Sequence, residues 1–131
     1  MTLMDVSSRE LAADLADRLN QIVPAGFTVR SEGIRVNVYQ DGRDLGGSPA
    51  LVILAERDGR SVDEKIETAV LAVLSDIQDR IIEACKGPWP GGFGRGADLP
   101  MPDCRVTGDR LRLWFGEENA PVISVAPIAL R

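Results

Sequence analysis

Histidine occurs nowhere in the 131 residues, and its absence removes a whole region of chemistry. No Ser-His-Asp or Cys-His nucleophile can be assembled, the usual general base near neutral pH is missing, and so is the commonest metal ligand. Cysteine is nearly as scarce. Cys85 and Cys104 cannot hold a structural zinc by themselves. A bridge between them would close the intervening loop with a gain of about 3 kcal/mol; in a reducing compartment two free, partly buried thiols are expected instead. No apolar run approaches the length of a membrane span, and the opening M-T-L-M-D-V-S-S-R-E has neither a basic n-region nor an apolar h-region. The expectation is a soluble, cytoplasmic protein with no membrane partner.

What is present is enough for one core. Apolar residues make up 44% of the chain, which at this length suits a single domain over residues 1–131 with no staple required. Its most distinctive stretch is a Gly/Pro-rich loop at residues 87–103, where G-P-W-P-G-G-F-G-R-G-A-D-L-P-M-P packs five glycines, four prolines and two aromatics into sixteen residues. No helix or central strand can cross it. It is expected to be mobile in the free protein, with Trp89 and Phe93 either clasping the domain or waiting as anchors for a partner.

Elements can be placed on either side. Ser7 and Glu10 form a capping-box pattern ahead of Leu11, Leu15, Leu19 and Ile22, and Pro24-Ala25-Gly26 stops that helix. Residues 27–30 and 34–39 alternate around Glu32-Gly33 as a hairpin, with Phe27, Val29, Ile34, Val36 and Val38 inward. A polar loop, D-G-R-D-L-G-G-S-P, leads to the apolar run 50–55, which reads as a strand covered on both faces. Ser61 and Glu64 then cap a long helix whose apolar positions, Val62, Ile66, Val70, Val73, Ile77 and Ile81, are widened by Leu71, Leu74 and Ile82. After the loop come a hairpin, 104–106 and 110–115 around Gly108-Asp109, a short strand at 122–125 and a tail. There is no evident internal repeat or domain linker. The fold class is α+β, a two-layer antiparallel sheet with helices on one side, in the order α-β-β-β-α-β-β.

That element order resembles the type III secretion chaperones, small acidic homodimers with one sheet and flanking helices. The resemblance covers most of the chain at the level of element order, without a shared motif, and implies a chaperone-like or adaptor-like role. The excess of arginine over lysine, 13 against 2, is similar to that of proteins from GC-rich bacteria.

Other chemistries fit less well. The first five elements also match a double-stranded RNA-binding domain, but Asp63, Glu64 and Glu67 stand where that domain needs basic residues, so no nucleic-acid partner is expected. Gly92-Phe-Gly-Arg-Gly96 follows a helix and approaches a strand, the reverse of a dinucleotide loop. The carboxylate pairs Asp14/Asp17 and Asp76/Asp79 fall on solvated helix faces, where Asp14–Arg18 and Asp76–Arg80 can pair, and Asp41/Asp44 offers too few oxygens for an EF-hand. No catalytic residue, metal or cofactor is assigned.

The outward strand faces are more informative. Alternation puts Arg30, Arg35, Asn37 and Tyr39 on one face, and Arg110, Arg112 and Trp114 in the same phase after the loop. Arginine and aromatics are what protein interfaces favour. Arg35, Tyr39, Trp89, Phe93, Arg110, Arg112 and Trp114 are therefore the candidate contact residues of a homodimeric, non-enzymatic interaction module. The alternative is a small-molecule-binding protein or enzyme, with the 87–103 loop as a lid over Trp89, Phe93, Arg112 and Trp114.

Overall fold

In the computed structural model, which describes residues 3–90 and 99–130 with side chains from Ser8 onward, helix α1 spans Leu3–Asn20 and helix α2 Val62–Cys85. The strands are β1 Phe27–Glu32, β2 Arg35–Gln40, β3 Arg43–Ser48, β4 Pro102–Thr107, β5 Arg110–Glu117, β6 Ala120–Ser124 and β7 Ile128–Ala129. All pairings are antiparallel. The chain is α+β in the expected order, continued by two more strands. Its strands divide between two sheets, β1-β2-β3 and β4-β5-β6, with β7 pairing to β5 beside β6. The expected outward residues therefore lie on two faces rather than sharing one.

Both helices serve both sheets. Leu15 and Leu19 of α1 and Val73, Leu74 and Ile77 of α2 share one buried cluster with Val29, Val36 and Val38 of the first sheet and Leu111, Leu113 and Phe115 of the second. Val70, Val73, Leu74, Ile77 and Ile81 of the α2 stripe are thus covered inside the chain, while Val62 and Leu71 stay exposed at its margins. Ser61 caps α2 as expected, its hydroxyl accepting from Glu64 N–H while the Glu64 carboxylate accepts from Ser61 N–H. Ser7, by contrast, lies within α1, which begins at Leu3.

The run 50–55 is not a strand. It forms a 3-10 helix, Ala50–Ala55, with Leu51 and Leu54 buried and Val52 51% exposed. Three residues per turn put positions i and i+3 on one side, so the spacing of Leu51 and Leu54 suits it, with Pro49 at its start. The third strand instead occupies the preceding polar loop. Asp41 and Gly42, with φ of 50° and 84°, make the Asp-Gly hairpin turn that joins β2 to β3. At Gly47 the two strands approach so closely that a Cβ would sit 2.2 Å from both Val36 O and Asn37 Oδ1.

The two halves repeat one pattern, helix then three antiparallel strands. A shift of 75 residues superposes the first two strands of each: Val29 on Cys104, Arg30 on Arg105, Gly33 on Gly108, Arg35 on Arg110, Val36 on Leu111, Val38 on Leu113 and Tyr39 on Trp114. The registers correspond too, Val29↔Val38 with Cys104↔Leu113 and Glu32↔Arg35 with Thr107↔Arg110. β1 and β4 have the same burial pattern. Gly33 and Gly108 turn at φ of 64° and 62°, a conformation that residues with a Cβ resist.

Candidate functional site

Unpaired edge strands invite association, and in each half a side chain occupies the outer edge of the first strand. Asn20 on α1 donates through Nδ2 to Val29 O and accepts through Oδ1 from Val29 N–H, both at 2.7 Å. Glu67 on α2 accepts from Val106 N–H at 2.8 Å, and its carbonyl accepts from Cys104 Sγ at 3.3 Å. Burial, with the nearby charges of Asp103 and Glu67, pushes the Cys104 thiol up to about 12. It is inert at neutral pH. Both cysteines are free. Cys85 lies 18 residues along α2 from the Glu67 contact, about 27 Å at the rise of a helix, so this fold rules out their bridge.

The outer edges of β1 and β4 are thus occupied, and each sheet also presents an outward face. On the first, Tyr39 donates its hydroxyl to Glu32, and the Arg30 guanidinium lies 5.2 Å from the Tyr39 ring centre. This hydrogen bond holds the Glu32 carboxyl below its ordinary pKa and raises the Tyr39 phenol above its own. Arg35 is exposed beside them; Asn37 is buried, with Oδ1 unpaired among the described residues.

The second face carries a related cluster. Arg112 sits 5.3 Å from the Trp114 ring centre, and Glu118 joins Arg112 Nη1 at 3.1 Å to Arg105 Nη2 at 2.7 Å. Arg110 is exposed. Trp114 is not. It is only 4% exposed, and its Nε1–H has no hydrogen-bond acceptor among the described residues, an omission that costs about 1–3 kcal/mol when a donor is buried. Arg112, Trp114, Glu118, Ser124, Val125 and Pro127 border a recess of about 160 Å³.

That recess exists because the third strand breaks. Cys104 and Val106 turn their N–H groups away from β5, so their partners Leu113 and Leu111 direct main-chain groups to the other flank of β5. There Leu111 meets Ile128 and Phe115 meets Ile123, but no strand residue lies opposite Leu113. Residues 125–127 leave the sheet, and Arg18 on α1 holds them, donating to Ala126 O at 2.9 Å and Pro127 O at 3.1 Å. Arg18 pairs with Asp17 rather than Asp14. Asp76 likewise accepts from Ser48 Oγ at 2.6 Å, while Arg80 lies against Gly46.

Trp89 is placed elsewhere. It is 6% exposed and packs edge-on against Phe115, ring centres 5.2 Å apart. Phe115 and Trp114 are successive residues of β5 and point to opposite faces, so Trp89 and Trp114 do not share the pocket expected beneath a lid. The buried Gln78 of α2 donates through Nε2 to Trp89 O at 3.1 Å and Pro100 O at 2.8 Å, tying both ends of the loop to the helix. Phe93 and the rest of 92–96 lie outside the described residues.

Sequence reasoning missed the roles of Asn20, Glu67, Gln78 and Glu118, since a polar residue on a helix or turn carries no mark of a partner distant in sequence. Among the described residues no helix is long and apolar enough to cross a membrane, and no group of acidic residues and cysteines could hold a metal. No family model, curated protein or solved structure matches the chain.

Proposed function

We propose that this protein is a non-enzymatic interaction module whose contact surfaces are the two outward sheet faces. The observation that carries the reading is the repetition: an arginine lies over an aromatic ring on each face, and the ring stands at matching positions, Tyr39 and Trp114. Arginine stacked on an aromatic presents a largely preorganised surface, so less side-chain entropy is lost when a partner arrives. Exposed Arg35 and Arg110 extend the two faces at another matching pair of positions. The occupied edges of β1 and β4 favour contact through faces over strand addition there.

Site-specific photocrosslinkers at positions 35 and 110, introduced in the source cells, test this reading. Both are expected to capture a protein that a crosslinker at the exposed Arg57 does not. Arg30→Ala with Tyr39→Ala should abolish capture at position 35 while the melting temperature changes little. Equal labelling at all three positions, or none at 35 and 110, would overturn the reading.

A further inference from the structure

We propose that the recess beside Trp114 is a binding site for a carboxylate, which accepts hydrogen bonds from Trp114 Nε1 and Leu113 N–H and is balanced in charge by Arg112. Three independent features converge there. Trp114 borders the recess, and its buried Nε1–H has no acceptor among the described residues. Leu113, whose side chain is in the core, also borders it. On that flank its main chain has no strand residue opposite. At the rim, Arg105 and Arg112 share the single carboxylate of Glu118, which leaves the trio with a net charge of +1, and only one guanidinium nitrogen of Arg112 engages Glu118.

The donors select the ligand class. An indole N–H and a main-chain N–H can only give hydrogen bonds, and a guanidinium only gives them, so the group that satisfies all three must be acceptor-only. A carboxylate is such a group and carries the charge that the trio lacks. Trp114 also borders a second void, but that one holds about 10 Å³, is lined by Leu19, Ile22 and Leu74 among others, and has room for no more than one water. The proposal does not rest on the interaction reading above. The same chemistry is offered by a free small acid and by the C-terminus of a peptide.

The chain has two tryptophans, so its ¹H–¹⁵N spectrum has two indole signals, and Trp89→Phe assigns them. Acetate and N-acetylglycine should shift the Trp114 indole signal saturably, whereas acetamide and N-acetylglycinamide should not, and the Trp89 signal should stay in place. Arg112→Gln, at an exposed position, should weaken the response at least tenfold. A tripeptide with a free C-terminus that binds tenfold tighter than N-acetylglycine, while its amidated form is silent, assigns the site to peptide termini; comparable affinities assign it to small acids. No saturable shift with any carboxylate, equal shifts with the amides, or an undiminished response in Arg112→Gln would overturn the proposal. Should Arg112→Gln fail to fold, the acid-against-amide comparison on the unaltered protein still decides.

Discussion

In the first half of the chain, six residues, 21–26, carry it from α1 into β1; in the second, sixteen, 86–101, separate α2 from β4. The hairpins that follow share register and turn glycines, and their first strands share a burial pattern. What differs is how each half is closed. The first closes with short turns, and its outward aromatic, Tyr39, stays partly exposed with its hydroxyl satisfied by Glu32. The second closes with a long loop pinned through Trp89 and Gln78, and its third strand gives way to a segment held by Arg18. One template thus yields an open polar face in one half and a recess with an unpaired donor in the other. Local pairing rules set the sheets, and the connections set what the faces can bind.

Removing the clasp should have the largest effect. Trp89→Ala deletes a buried ring packed on Phe115, and a loss of about 3–5 kcal/mol is expected in denaturant unfolding. A change below about 1 kcal/mol, in the range of surface substitutions, would mean that the long connection closes the second half without its aromatic.

Both halves also interrupt the pairing of their second and third strands, between Asn37 and Tyr39 in one and between Phe115 and Gly116 in the other. In the first half the interruption depends on Gly47. A Cβ there meets the Val36 carbonyl and the Asn37 Cα, backbone that cannot step aside, so Gly47→Ala should cost about 3 kcal/mol, the upper end of overpacking losses. A neutral substitution would show that β3 can shift its register.

The edge caps rank next. Asn20→Ala removes two hydrogen bonds to Val29 and should cost about 2 kcal/mol, while Glu67→Ala removes one side-chain bond to Val106 and should cost about 1 kcal/mol. Amide exchange should accelerate at Val29 in the first variant and at Val106 in the second. Reversed magnitudes would mean that the helix side chains do not play matching roles in the two halves.

The limits of sequence reading fall along the same division. The α2 capping box, the 27–40 hairpin and the 102–117 hairpin are legible because their signals are local: a capping pair, period-two alternation and glycine at the turn. β3 is hidden because Arg-Asp-Leu-Gly-Gly-Ser lacks the β-branched and aromatic residues that mark strands, although Asp41-Gly42 announces its turn. The run 50–55 misleads because a short apolar stretch has no periodicity that separates a strand from a buried helical turn. The repeat escapes notice because the connections differ by ten residues, so helices and hairpins cannot align at one offset. Of the candidate contact residues, Arg35, Arg110 and Arg112 face outward as expected. Trp89 and Trp114 are buried, Trp89 against Phe115, which lies 26 residues further along the chain.

The smallest expected effect is a titration that only the first half possesses. The Tyr39–Glu32 hydrogen bond lowers the Glu32 pKa below 4.5 and raises that of Tyr39 above 10.0. A lowered carboxylate pKa contributes stability that is complete above 4.5 and lost as pH falls through the lowered value. A raised phenol pKa contributes stability that is complete below 10.0 and lost as pH rises through the raised value. The bond therefore strengthens the first face across the whole interval between, and both groups are exposed enough for solvent to keep the effect small. In the second half Trp114 takes the place of Tyr39 and does not titrate, so that face has no counterpart to this window. Tyr39 is the only tyrosine, and its phenolate absorbance reads the titration directly. Glu32→Gln should bring the midpoint back toward 10.0, because it removes the carboxylate that holds the hydroxyl proton. A midpoint unmoved by that substitution would show that the two faces differ in shape alone and not in their response to pH.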